Sequence, residues 1–209
     1  MTYRTISATT VTIIDLLSAQ INADPLLRPF FDSGVGGNMS VSARTPQEMG
    51  DLNETGLSVW LYRIARDAEL LNQPPRRMAD NSYEHRPLPL RLHYLMTPVV
   101  NEQNVNGNDP GLEQFVIGKV LQTLHDSPKI AGALLRGDLV GTGSALTARL
   151  EPLGLEEITR VWDAMESSYQ LCVSYEVSVV MIASDKEDEI ISPVSVIEPE
   201  FGVIREVIS

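Results

Sequence analysis

The spacing of hydrophobic and polar positions changes several times along the chain, and each change marks an element. From Ser7 to Gln20, Thr10, Ile13, Ile14 and Leu17 share one helical face, with Leu16 close by. This predicts a helix that ends before Asp24-Pro25. The β-branched run Thr9 to Ile14 loses rotamer freedom in a helix and keeps a strand as the alternative. Gly34, Gly36 and Gly37 then mark turns, and Met39, Val41 and Ala43 alternate with serines as a strand would. In "LSVWLYRI", Leu57, Val59 and Leu61 form one face and Trp60, Tyr62 and Ile64 the other. Both faces are largely apolar, so this strand is expected to be central and covered on both sides.

Asn72 to Glu84 reads as a polar loop. Alternation resumes in "RPLPLRLHYLMTP", with Leu88, Leu90, Leu92, Tyr94 and Met96 on one face and Arg91 and His93 on the other. Pro89 removes a ladder donor, which places that end at a sheet edge or outside the ladder, with regular pairing from Leu90 to Met96. Asn101 to Gly111 is a long turn region. Asp109-Pro110 is a helix start, and a broad apolar face from Leu112 to Leu124 carries the helix to about His125. Gly132 to Gly143 is loop-like, and Leu146, Ala148 and Leu150 make a short strand. In "GLEEITRVWDAM", Ile158, Val161, Trp162 and Met165 fall at i, i+3, i+4 and i+7, and Glu156 and Glu157 favour a helix start. Leu171 to Ala183 is the clearest strand. Ser184 to Glu189 is a solvated charge run, and Ser192 to Ser209 looks extended, with β-branched residues between Pro193 and Pro199 and beyond. The order predicts an α/β (α+β) fold in which a single mixed sheet is flanked by helices, over residues 1–190, followed by an extended segment over 191–209.

Composition narrows the function classes. The 209 residues carry 43% hydrophobic residues, enough for one sizeable core, and a net charge of −12. The charge is uneven, about −2 before residue 151 and −10 from there on. Such a chain is repelled by phosphate backbones, so nucleic acid is not an expected partner. Cys172 is the only cysteine, which excludes an internal disulfide and a thiolate metal cluster. The first residues do not form a secretory signal, and no apolar run approaches a membrane span. The expectation is a cytoplasmic protein that does not insert directly into membrane.

No catalytic or ligand motif emerges. His85, His93 and His125 are far apart and lack ligand spacing. "GVGG" and "GTGS" match no nucleotide loop, and Ser144 is no nucleophile elbow. Neither a metal nor another cofactor is expected, and no enzymatic activity. Arg76-Arg77 is the one compact basic spot, suited equally to a solvated loop or to docking on an acidic protein surface.

Taken in order, "LSVWLYRI", "RPLPLRLHYLMTP", "GLEQFVIGKVLQTLHDSP", "LEPLGLEEITRVWDAM" and "YQLCVSYEVSVVMI" resemble the N-terminal domain of cap, or tail-terminator, proteins of contractile injection systems. These are the phage-tail-like particles of the antifeeding-prophage and Photorhabdus virulence cassette type. The resemblance covers about Thr5 to Ala183 and implies a phage tail-terminator-like fold. It implies a homo-oligomer, a hexameric ring on the distal end of the particle, with sheath protein and inner tube protein as partners. Such a ring would stop polymerisation and anchor the sheath. Arg76, Arg77, Arg91 and His93 are the candidate interface residues of the domain, and Val194, Val196, Phe201 and Ile204 those of the extended segment. A baseplate or tube-completion subunit of the same particle is the alternative. A small-molecule hydrolase or ligand-binding domain is the reading from another class, and it predicts a deep pocket with convergent polar groups.

Overall fold

The helix expected near the N-terminus forms, because its threonines satisfy themselves within it. In α1 (Thr5–Ala23), Thr9 Oγ1 donates to Thr5 O at 2.9 Å and Thr12 Oγ1 to Ala8 O at 2.7 Å. These back-bonds let β-branched residues turn inward, so Thr5, Thr9 and Thr12 are buried beside Ile13, Leu16, Leu17 and Ile21. Burial of that face outweighs the weak helix propensity of the run. The computed structural model describes residues 2–71, 76–77, 82–100, 110–185 and 189–190.

Two short turns of helix follow, α2 (Arg28–Phe31) and a 3-10 turn at Ser33–Val35, before β1 (Met39–Ser42). The helix α3 (Pro46–Asp51) starts on a reciprocal cap: Glu48 N–H donates to Thr45 Oγ1 at 3.1 Å, and Thr45 N–H to Glu48 Oε2 at 2.9 Å. Then come β2 (Thr55–Arg66), α4 (Ala68–Leu71), β3 (Arg76–Arg77), β4 (Ser82–Glu84) and β5 (Leu88–Val99). The second half runs α5 (Pro110–Asp126), β6 (Lys129–Ala131), 3-10 turns at Gly132–Leu134 and Gly137–Leu139, β7 (Ala145–Glu151), α6 (Leu155–Ala164), β8 (Val173–Ile182) and β9 (Glu189–Ile190).

The main sheet has six strands in the order β1-β2-β5-β8-β7-β6. Only β1 and β2 run parallel, so the sheet is mixed, as expected. One face carries α1 and α5 over the main core, which includes Leu57, Val59, Leu92, Tyr94, Met96, Val116, Val120 and Val177. The other face is covered in part by α6, whose Trp162 is buried against Leu95 and Cys172, with Trp60 and Tyr62 packed beside them. A second small sheet has the order β3-β4-β9.

Three expectations need correction. Pro89 lies outside the β2–β5 ladder but not at an edge: β5 is the third of six strands, Pro89 stands opposite Met181 of β8, and the pairing expected to be regular from Leu90 to Met96 shifts register against β8 between Leu90 and Leu92. Its carbonyl accepts from Asp67 N–H at 3.0 Å, so its missing donor faces the side where β2 has already ended, and the β8 ladder loses nothing. Ile64 does not share a face with Trp60 and Tyr62. A one-residue bulge at Tyr62 shifts the register so that Ile64 stands opposite Leu92, and every side chain beyond the bulge changes face. Arg76-Arg77 is not loop but the strand β3, paired antiparallel with β4.

Candidate functional site

The second face of the sheet is polar where α6 leaves it open, and its side chains bond to one another. Strand alternation sends Arg91 and His93 of β5 to this face, as expected, together with Glu176 of β8 and Glu151 of β7. His93 Nδ1 lies 2.8 Å from Glu151 Oε1, and because a carboxylate only accepts, the ring nitrogen donates. The other carboxylate oxygen accepts from Ser174 Oγ at 2.6 Å, and Tyr62 OH lies 3.1 Å from that hydroxyl. Tyr62 meets the His93 ring edge-on, with centroids 6.2 Å apart. Burial raises the Tyr62 hydroxyl above its ordinary pKa, partly offset by the bond to Ser174.

Arg91 closes the neighbouring half of the network. Its Nε donates to Asp67 Oδ2 at 2.9 Å, and its terminal nitrogens lie 3.4 Å from Glu176 Oε2 and 3.9 Å from Glu69 Oε1. The Arg91 guanidinium holds the Asp67 carboxyl below the usual carboxylate range, helped by the N–H groups of Leu70 and Glu69 and opposed by burial. His93 is 4% exposed, so within the chain its ring is buried. Strand neighbours and the Tyr62 ring cover it.

One grouping among the described residues has metal-ligand chemistry: ligand atoms of His93, Glu151 and Glu176 lie within 4.8 Å of one another. Each already has a counter-group, since His93 serves Glu151 and Arg91 serves Glu176. A cation there would have to displace a guanidinium, so the arrangement fits an internal ion-pair network better than a metal centre. Cys172 is no nucleophile candidate, because burial pushes its thiol up. No helix among the described residues is long and apolar enough to cross a membrane.

The first face has a different feature. A groove of about 650 Å³ runs between the C-terminal half of α5 and the strands β7 and β8. Leu121, Leu124, Pro128, Ala148, Leu150 and Tyr175 give it a largely apolar lining, to which Gln122 and His125 add polar side chains. It offers no converging set of acids, bases or donors of the kind a small-molecule enzyme needs.

A family model for the Pvc16 N-terminal domain matches residues 8–195. The chain belongs to the Pvc16 N-terminal domain family. Two solved structures share its fold. One is the PVC sheath/tube terminator of an extracellular contractile injection system, determined in the extended state by cryo-EM. It is 16% identical over 93% of this chain and 65% of that one, with a TM-score of 0.52. The other is the tube-terminating cap of the anti-feeding prophage, 16% identical over 90% of this chain and 59% of that one, also with a TM-score of 0.52. At this identity the likeness is one of fold, and the chain spans less than two thirds of either structure. Comparison with curated protein sequences finds no match.

Within this family fold the expected interface residues fall in three places. Arg91 and His93 are joined through the central strand to the internal network. Arg76 and Arg77 form β3 of the small sheet. Val194, Val196, Phe201 and Ile204 lie outside the described residues. Sequence reasoning missed Glu151, Asp67 and Tyr62. Their partners come from other strands, and only the register across β2, β5, β8 and β7 brings them together.

Proposed function

We propose that this chain is a structural terminator, a cap on the distal end of the inner tube and sheath of a contractile injection particle. The observation that carries the reading is the family match across residues 8–195, together with two fold neighbours that are both terminators of such particles. The architecture supports it: the polar groups of the open sheet face are spent on one another, and the groove presents apolar surface without catalytic groups. In this reading six copies form a ring that stops polymerisation and holds the last layer of sheath to the tube. The partners are further copies of the chain, a sheath protein and an inner tube protein. The protein works without a cofactor and without catalysis, and it is made in the cytoplasm before joining the particle.

Particle length tests the reading. Electron microscopy of particles from cells lacking the chain is expected to give overlong, ragged or sheath-less tubes. Capped particles of unchanged length would overturn it.

A further inference from the structure

We infer that β7 carries an acceptor edge for strand addition, and that its occupant is the segment 191–209 of a second copy of this chain. Strand β6 pairs with only the first part of β7, from Ala131 opposite Ala145 to Lys129 opposite Thr147. The next contact is a single bond, Ala148 N–H to Pro128 O at 2.8 Å. Proline has no N–H to return, so the Ala148 carbonyl receives nothing from it. In an antiparallel ladder the main-chain groups of alternate residues point the same way. The N–H and C=O of Leu150 therefore also face away from β8, and among the described residues no strand pairs with them. Leu150 is 54% exposed although it stands opposite the buried Tyr175.

The groove lies directly under this edge, lined by Leu150, Tyr175, Leu121 and Leu124. A strand laid along Arg149–Glu151 would place alternate side chains into it. Main-chain bonds would supply affinity and the apolar pocket selectivity.

The segment 191–209 has the matching sequence. Val194 and Val196 are two residues apart, as are Phe201 and Val203, so each pair projects to one face of an extended chain. The segment bears Glu198, Glu200 and Glu206 against one base, Arg205. Beside the acceptor edge Lys129, Arg149 and His125 are exposed, and the acids there are Asp126 and the edge's own Glu151, which is engaged by His93 and Ser174. Lys129 and Arg149 can pair with the segment's glutamates.

The placement favours exchange between copies. The segment follows β9, which pairs with β4, the strand leading into the Leu88 end of β5. The acceptor lies toward the other end of the sheet, where Glu151 meets Ser174 and Leu95 meets the same residue. Donor and acceptor at opposite ends make a head-to-tail contact, the kind that closes into a ring when the rotation between copies permits. The inference deepens the ring reading above and rests on it only in requiring copies side by side.

Disulfide trapping in the 209-residue chain tests it. One tagged chain carries Leu150→Cys; a second, differently tagged, carries Val194→Cys, Val196→Cys, Phe201→Cys or Ile204→Cys in turn. Mixing under mild oxidation is expected to give a mixed disulfide between chains for at least one pair, identified by mass spectrometry. A cross-link only within a doubly substituted chain, a symmetric link between two copies of the Leu150→Cys chain alone, or no link at any position would overturn the exchange. The particle-length experiment is independent of all three outcomes, so overlong particles with no mixed disulfide would leave the terminator reading standing and remove this one.

Discussion

The two ring nitrogens of His93 stand in different surroundings. Nδ1 is bonded to Glu151, while Nε2 is buried and has no partner among the described residues. Removing Glu151 therefore leaves both nitrogens of a buried ring without a partner, while removing His93 leaves Glu151 held by Ser174 alone on one oxygen. Glu151→Ala is expected to destabilise the fold by about 1–3 kcal/mol, and His93→Ala by a similar amount. The double variant should cost clearly less than the two together, since both remove one contact. Urea unfolding of the three variants measures this. Asp67 gives a pH prediction. Its folded value is lowered, so its contribution is complete above about pH 4, the range of an unfolded aspartate, and disappears as pH falls through the lower folded value. Asp67→Asn should flatten the loss of stability on acidification from about pH 5 to about pH 2, read from denaturation midpoints. The residue types of this network were visible in the sequence, and Arg91 and His93 were placed on the correct face by alternation alone. Their partners were not visible, because Glu151 lies 58 residues from His93 and only strand register joins them.

At the scale of elements, alternation and helical spacing identified α1, α5, α6 and the strands β2, β5, β7 and β8. Errors arose where one residue changes the parity or where strands are very short. The Tyr62 bulge has no sequence mark, since an extra residue in a β-branched and aromatic run looks like more strand. β3 and β6 contain two and three residues, too few to show a period. Two elements depend on single positions. Gly56 has φ +142, and a Cβ there would lie 1.9 Å from Ser40 O across the β1–β2 pair. Gly56→Ala should abolish that pairing and cost at least about 2 kcal/mol, seen as a fall in the thermal midpoint. The helix α6 is held by Trp162, which is 1% exposed. Trp162→Ala is expected to cost about 3–5 kcal/mol and to raise hydrogen exchange across 155–164.

At the scale of the whole molecule, the two hydrophobic clusters draw, among the described residues, on positions from Ile6 to Ile182. Deleting 191–209 is expected to remove the contact between copies while the thermal transition stays cooperative, so folding and association separate in one variant. Calorimetry and sedimentation on the same sample would check both. The sheet order has a further consequence for how the chain is made. β5 finds its second neighbour only when β8 has been synthesised, because β7 and β6 join the sheet through β8. At translation speeds of about 5–20 residues per second, the interval from Val99 to Ile182 lasts roughly 4–17 s. During that time a leucine-rich strand stands on the ribosome with one flank bare. The nascent chain is thus most vulnerable to aggregation through the strand that becomes one of the most protected in the finished protein, and a chaperone that binds extended apolar segments would meet it there.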